Sequence, residues 1–179
     1  MATYNTLRQN YRPTKITHLL IAESPPPEDS KKPSSRHFYR SDLIRRDDRL
    51  FTNTIKAIYP EAADKTEAEL QAAKEEWLRR FQADGWYMIE ALETSQEHEV
   101  TKKERQARIK EALPSILARV QELAGPDTKI ILIKSNVFDV ATEPLQDAGF
   151  NVLNTELLDY PGRFNQKAYR EKLIQLLAR

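Results

Sequence analysis

Residues 129–134, Lys-Ile-Ile-Leu-Ile-Lys, set four branched apolar side chains in a row between two lysines. A strand with one wet face alternates apolar and polar residues. This segment leaves no face for water and demands cover on both sides. Three further short apolar runs accompany it: Thr17–Ala22 (THLLIA), Trp86–Ile89 (WYMI) and Phe150–Asn154 (FNVLN). Each has the length of a strand and is too short for a helix.

Between the runs the apolar spacing changes to a helical one. Asp47–Tyr59 reads as a helix stopped at Pro60, and Asp64–Gly85 as another, with Thr66 and Glu69 in capping-box spacing. In the second, Leu70, Ala73, Trp77, Arg80 and Phe81 form a mostly apolar stripe, which Gly85 closes. A charged stretch from Glu97 to Arg105 leads into a helix ending at Leu123, whose Ile109, Leu113, Ile116, Leu117, Val120 and Leu123 keep the spacing. Val137–Ala148 and Gln166–Ala178 complete the set. Strands alternating with helices predict an α/β fold: a three-layer α/β/α sandwich on a four-stranded parallel sheet, one domain over residues 1–179.

Composition narrows what such a fold can do. The chain has no cysteine, which excludes disulfides, thiolate metal sites, cysteine-ligated iron–sulfur clusters and a thiol nucleophile. Four glycines leave little material for a phosphate-cradling loop. With 28 basic and 27 acidic side chains, any affinity for nucleic acid or membrane must come from a local patch. The N-terminal stretch has no apolar core of a signal peptide, and the longest apolar runs are too short to span a bilayer. The expectation is an intracellular, cytoplasmic chain with no membrane partner, no metal and no cofactor.

Open parallel sheets bind ligands outside the carboxyl ends of their strands. The first strand empties at Glu23 into Ser24 and the triplet Pro25–Pro27, opening a polar loop to Arg36 that is followed by His37, Phe38, Tyr39 and Arg40. The second strand ends at Glu90, the third at Ser135–Asn136, and Asp159–Asn165 precedes the last helix. Ser24 lacks the flanking glycines that a hydrolase nucleophile elbow requires. Asn136 is placed either to bind a ligand or to cap the helix it opens, and Asn165 likewise to cap the last helix. Glu90 is either a recognition carboxylate or an ion-pairing residue at a strand end. His18, inside a strand, reads as structural.

The run Leu-Leu-Ile-Ala-Glu-Ser-Pro-Pro-Pro resembles the first motif of the uracil-DNA glycosylase superfamily, with Ala22, Glu23, Ser24, Pro25 and Pro26 in register. Residues 129–154 look like that fold's later strand–helix–strand. Leu-Asp-Tyr-Pro-Gly-Arg-Phe-Asn resembles its second motif loop, with Tyr160 before Pro161, or Asp159 in the other register. The resemblance implies recognition of a nucleobase, in DNA or as a small molecule, with hydrolysis of an N-glycosidic bond as in DNA repair. It casts Glu23 and Tyr160 as catalytic groups, with Glu23 positioning water or stabilising the sugar cation and Tyr160 hydrogen-bonding the leaving base. Ser24 and Asn136 would lie beside the base, Phe38 or Tyr39 would stack on it, and Glu90 would read its edge. Arg163 would hold the distorted strand, and Arg12, Lys31, Lys32, Arg36 and Arg40 would form a basic rim.

The sequence also departs from the motifs. The usual water-positioning Asp or Asn is replaced by Ser24 or Glu23, the second-motif histidine has no counterpart, and Glu90 stands where an Asn reads uracil. An ionised carboxylate only accepts hydrogen bonds, which disfavours uracil O4 and favours amino or imino donors. The alternative expectation is a non-catalytic nucleic-acid- or nucleotide-binding protein that keeps the fold. A third is a small-molecule enzyme acting on a nucleotide or another phosphorylated compound.

Overall fold

A computed structural model describes residues 3–28, 34, 36–42, 48–96 and 100–178. Lys31, Lys32, Asp47 and His98 lie outside the described residues. The elements run α1 (Tyr4–Gln9), β1 (His18–Ala22), α2 (Arg49–Ile58), a 3-10 turn (Pro60–Ala62), α3 (Glu67–Ala72), α4 (Lys74–Ala83) and β2 (Trp86–Glu90). They continue with α5 (Lys102–Leu123), β3 (Lys129–Leu132), α6 (Ser135–Asp147), β4 (Asn151–Val152) and α7 (Gln166–Leu177).

The four strands form one parallel sheet in the order β2-β1-β3-β4, flanked by helices as a three-layer α/β/α sandwich. Every residue of β2 is buried, as are the apolar residues of β1 and β3. The connection β1 to β2 runs one way along the sheet, and β2 to β3 to β4 runs the other. Right-handed crossovers therefore put α2–α4 on one face and α5 and α6 on the opposite face. The packing agrees: α5 lies along α6, and α7 returns to pack on α2. The direction reverses between β1 and β3, which makes their carboxyl ends the topological switch point.

Side chains finish the sheet where the backbone does not. Asn154 accepts from the Leu132 amide at 2.7 Å and donates to the Leu132 carbonyl at 3.0 Å, as a paired residue would. The strand expected over residues 150–154 is thereby only two residues long, and pairing resumes at Ile133 and Leu158. On the β2 edge the Met88 amide donates to the Tyr39 hydroxyl at 2.6 Å, which in turn donates to the Met88 carbonyl at 3.2 Å. Gly85 (φ +81) turns the chain into β2, and a Cβ there would lie 2.6 Å from Thr17 Oγ1.

Two expectations change. The single helix over 64–85 is two, broken at Ala73 (φ −102, ψ 21), although the Thr66–Glu69 capping box forms as its spacing implies. Helix α1 had no apolar period to announce it. It forms from the Thr3 cap and the buried side chains Tyr4 and Arg8. Among the described residues, no helix is long and apolar enough to cross a membrane.

Candidate functional site

The chain leaving β1 stays against the sheet, because the Ala91 and Leu92 amides donate to the Ala22 and Glu23 carbonyls at 2.7 and 2.8 Å. The Glu23 side chain is thereby fixed at the switch point, buried to 5% exposure. Its Oε1 accepts from Lys134 Nζ at 2.8 Å and Arg105 Nη1 at 3.0 Å, and its Oε2 from Asn136 Nδ2 at 2.5 Å. Burial pushes this carboxyl up, but the donors Lys134, Asn136 and Arg105 outweigh it and hold the group below its ordinary value.

Lys134 is held in the left-handed region, at φ 81 and ψ 143, the one non-glycine among the described residues with positive φ. Its amide donates to the Leu158 carbonyl, and its carbonyl accepts from the Val137 and Phe138 amides of α6. Such a conformation costs about 1–3 kcal/mol and persists only where surrounding contacts enforce it. Here it carries the ammonium across from β3 to Glu23. Asn136 does not cap α6; its amide belongs to Glu23, and its Oδ1 is buried without a partner.

A cleft of about 290 Å³ opens beside this cluster at the carboxyl ends of β1 and β2. Ser24, Phe38, Glu90 and Tyr160 of the expected set line it, joined by His37 and Asp48. Lys134 and the triplet Pro25–Pro27 contribute to its wall. Glu23 does not line it, so the expected catalytic pair of Glu23 and Tyr160 is not assembled across the gap.

The remaining expected residues lie elsewhere. Tyr39 is a correction: at 1% exposure it packs among Tyr11, Phe38 and Tyr87, and its hydroxyl is committed to Met88. Phe38 lines the cleft but is 3% exposed, with its ring set against Phe51 and Phe81 in the core. Arg163 is exposed, its guanidinium 5.5 Å from the ring of the almost fully exposed Phe164, and it does not line the cleft. Of the expected basic rim, Arg36 lines the cleft, whereas Arg12 pairs with Glu122 and Arg40 with Asp42. Asn165 donates to the Tyr160 carbonyl at 2.7 Å and does not cap α7.

Glu90 is both a cleft residue and an ion-pairing residue. Its Oε2 accepts from Arg8 Nη1, and its Oε1 faces His37 Nε2 at 3.1 Å. Burial raises this carboxyl, while His37 and Arg8 pull it down, and the net direction is down. A carboxylate cannot donate, so His37 Nε2 carries the proton of that bond and Nδ1 is left without a partner. Below lies a second buried pair, Lys74 Nζ to Asp48 Oδ2 at 2.5 Å, with Lys74 also donating to the His37 carbonyl at 3.1 Å. The Tyr4 hydroxyl donates to the Pro26 carbonyl and accepts from the Ser34 amide, tying α1 to the cleft wall.

Arg8, His37, Lys74, Arg105 and Lys134 were not singled out for this site by sequence reasoning. Their partners are distant in the chain, 82 residues in the case of Arg8 and Glu90. Only the position of His37 directly before the aromatic pair was a usable signal. Among the described residues, no group of three or more His, Cys, Asp or Glu is arranged to hold a metal ion.

The depressed Glu23 carboxyl gives a signed prediction. A carboxyl held low in the folded state adds stability that is fully present above its unfolded value, near 4.5, and is lost as pH falls through the folded value. The extra stability of the native chain over Glu23→Gln, followed by urea denaturation, should be largest near neutrality and vanish on acidification below that range. A gap unchanged down to strongly acidic pH would contradict the ionised Glu23 cluster.

The fold and site define a parallel α/β sandwich with a polar cleft at its strand ends. Compared with protein-family models, curated proteins and solved structures, the chain matches none of them.

Proposed function

We propose that the protein binds a nucleobase-containing ligand in the cleft at the carboxyl ends of β1 and β2, on a uracil-DNA glycosylase-like scaffold, without cleaving the N-glycosidic bond. The observation that carries the non-catalytic reading is Glu23. Three donors take most of the roughly four acceptor positions of its carboxylate, and it does not line the cleft. A low-lying carboxyl engaged in this way is a poor general base at neutral pH.

Three features support a base as the ligand. The cleft combines apolar surface from Phe38, Met88 and the prolines with a few convergent polar groups from Ser24, His37, Glu90 and Tyr160. Tyr160 is 43% exposed beside it, so it can meet a flat ligand without unpacking the core. Glu90 keeps only acceptor capacity, which favours cytosine or guanine over uracil.

The test is a fluorescence titration of the four nucleosides and uridine-, inosine- and xanthosine-containing single- and double-stranded oligonucleotides, run beside an assay for released base. The expected result is binding that ranks cytosine or guanine above uracil, no base release, and a loss of about 1–3 kcal/mol of affinity in Tyr160→Ala. Release of free base by the native chain, abolished in Glu23→Gln, would restore the hydrolase reading. Absence of binding by any of these ligands would remove the nucleobase reading.

A further inference from the structure

A second pocket, of about 200 Å³, lies at the junction of α1, the β2 edge and α5, with Glu90 bonded between it and the cleft. Three guanidinium groups line it: Arg8 and Arg12 from the N-terminal segment and Arg119 from α5. Arg8 is 5% exposed, so its charge is held in place and does not sweep through solvent. The hydrogen bonds these groups make use only part of their donors. Arg8 gives one to Glu90 and one to Asn5, Arg119 gives one each to the Glu90 and Ala91 carbonyls, and Arg12 gives one to Glu122. Each guanidinium has five N–H groups to offer.

One buried donor of this pocket, Arg119 Nε, has no hydrogen-bond partner, and the buried Tyr87 hydroxyl lies beside the Arg8 guanidinium. Unpaired buried donors are uncommon in folded proteins. Both can donate, and both sit beside cationic groups. The nearby carboxylate, Glu93, is a loose counter-ion. Its Oε1 is 3.9 Å from Arg8 Nη2 and 4.0 Å from Arg119 Nη1, beyond hydrogen-bond length in both cases, and its side chain is 53% exposed. Glu122, at 66% exposure, is equally able to swing outward. Arg8 and Arg119 are thus fixed from within, whereas Arg12 is held by Glu122, and the carboxylates at the mouth are displaceable.

We propose that this pocket binds a phosphoryl oxyanion, held by the guanidinium groups of Arg8, Arg12 and Arg119 and by the Tyr87 hydroxyl, with Glu93 displaced on entry. Planar forks of N–H donors match the oxygens of such a group bidentately, which a lone ammonium does not. The proposal does not depend on what the strand-end cleft binds.

The experiment measures thermal stability and ³¹P NMR line widths of the full chain against inorganic phosphate, with sodium chloride at equal ionic strength as the control. A ligand that binds the folded state raises the melting temperature in a concentration-dependent way. The expected result is a rise with phosphate beyond that with chloride, weakened about tenfold or more in apparent affinity by Arg12→Gln. Glu93→Gln should act in the opposite direction and tighten phosphate binding, because it removes the competing anion. A purely structural arginine–glutamate network predicts no phosphate-specific rise and no gain in Glu93→Gln.

A parallel series with ribose 5-phosphate, which carries no base for the cleft, separates the two sources of the group. Equal response to both assigns the site to free phosphate, and a stronger response to the sugar phosphate assigns it to a phosphate ester. If the wild-type chain shows no response to either beyond the chloride control, or if Arg12→Gln and Glu93→Gln both leave the response unchanged, the proposal is overturned. Phosphate binding in a chain that binds no nucleobase would leave this inference standing and the cleft reading fallen.

Discussion

Replacing Glu90 with alanine should lower the free energy of unfolding by about 3–5 kcal/mol. Glu90 and Arg8 are each 5% exposed, and the carboxylate is the common acceptor for Arg8 and His37. Truncation leaves a guanidinium buried without its counter-charge, which costs far more than the intact pair contributes over an apolar replacement. It also removes a direct tie between α1 and the end of β2. A double-mutant cycle in urea with Arg8→Met is the measurement. The double variant should recover a large part of what Glu90→Ala loses, since neither charge is then stranded. A loss under about 1 kcal/mol in Glu90→Ala would place the pair with ordinary surface ion pairs.

The Asp48–Lys74 pair should give an effect of the same size for the same reason, with a different local consequence. The two side chains are 2% and 1% exposed, the most enclosed of the ion pairs described. Burial pushes the Asp48 carboxyl up and the Lys74 ammonium down, each toward its neutral form, and the attraction of each for the other opposes that push. Asp48 also accepts from the Phe51 amide as the cap of α2, a contribution of about 1 kcal/mol in its own right. Asp48→Ala should therefore lose about 3–5 kcal/mol, and Lys74→Met combined with Asp48→Asn should recover part of it while keeping the cap. Because Lys74 also holds the His37 carbonyl, the variants should disturb ligand binding in the cleft beyond their effect on stability. Unchanged cleft binding in a folded Lys74→Met chain would show that the His37 segment is held by other contacts.

The sheet was legible because its strands bury both faces, and an uninterrupted apolar run such as Ile130–Ile133 has no other use in a chain of this kind. Helix limits were legible where a cap or a glycine marks them, at Thr66 and at Gly85. The break at Ala73 was not. Lys74 in the sequence looks like one more solvated position, and only the distant Asp48 draws it inside. Helix α1 was hidden likewise, because its buried face consists of a tyrosine and an arginine with no apolar period.

The candidate site divides along the same line. Strand-end topology named Ser24, Glu90 and Tyr160, which do line the cleft, because residue position along a parallel strand fixes which end a side chain occupies. It did not show that Glu23 would be neutralised from α5 and from the junction of β3 with α6. That depends on Arg105 and Lys134, which reach it from 82 and 111 residues away. The aromatic pair split for a reason of surroundings alone: Phe38 touches the cleft, and Tyr39 serves the sheet.

That service has a consequence for how copies of the chain meet. An exposed strand edge invites another molecule's strand to add to it. On β2 the outward amide and carbonyl of Met88 are already taken by the Tyr39 hydroxyl, and the Glu90 carbonyl by Arg119. One phenol and one guanidinium thus occupy three of the hydrogen-bonding positions that an incoming strand would need. The sheet is kept from growing along that side by side chains that leave its own ladder undisturbed.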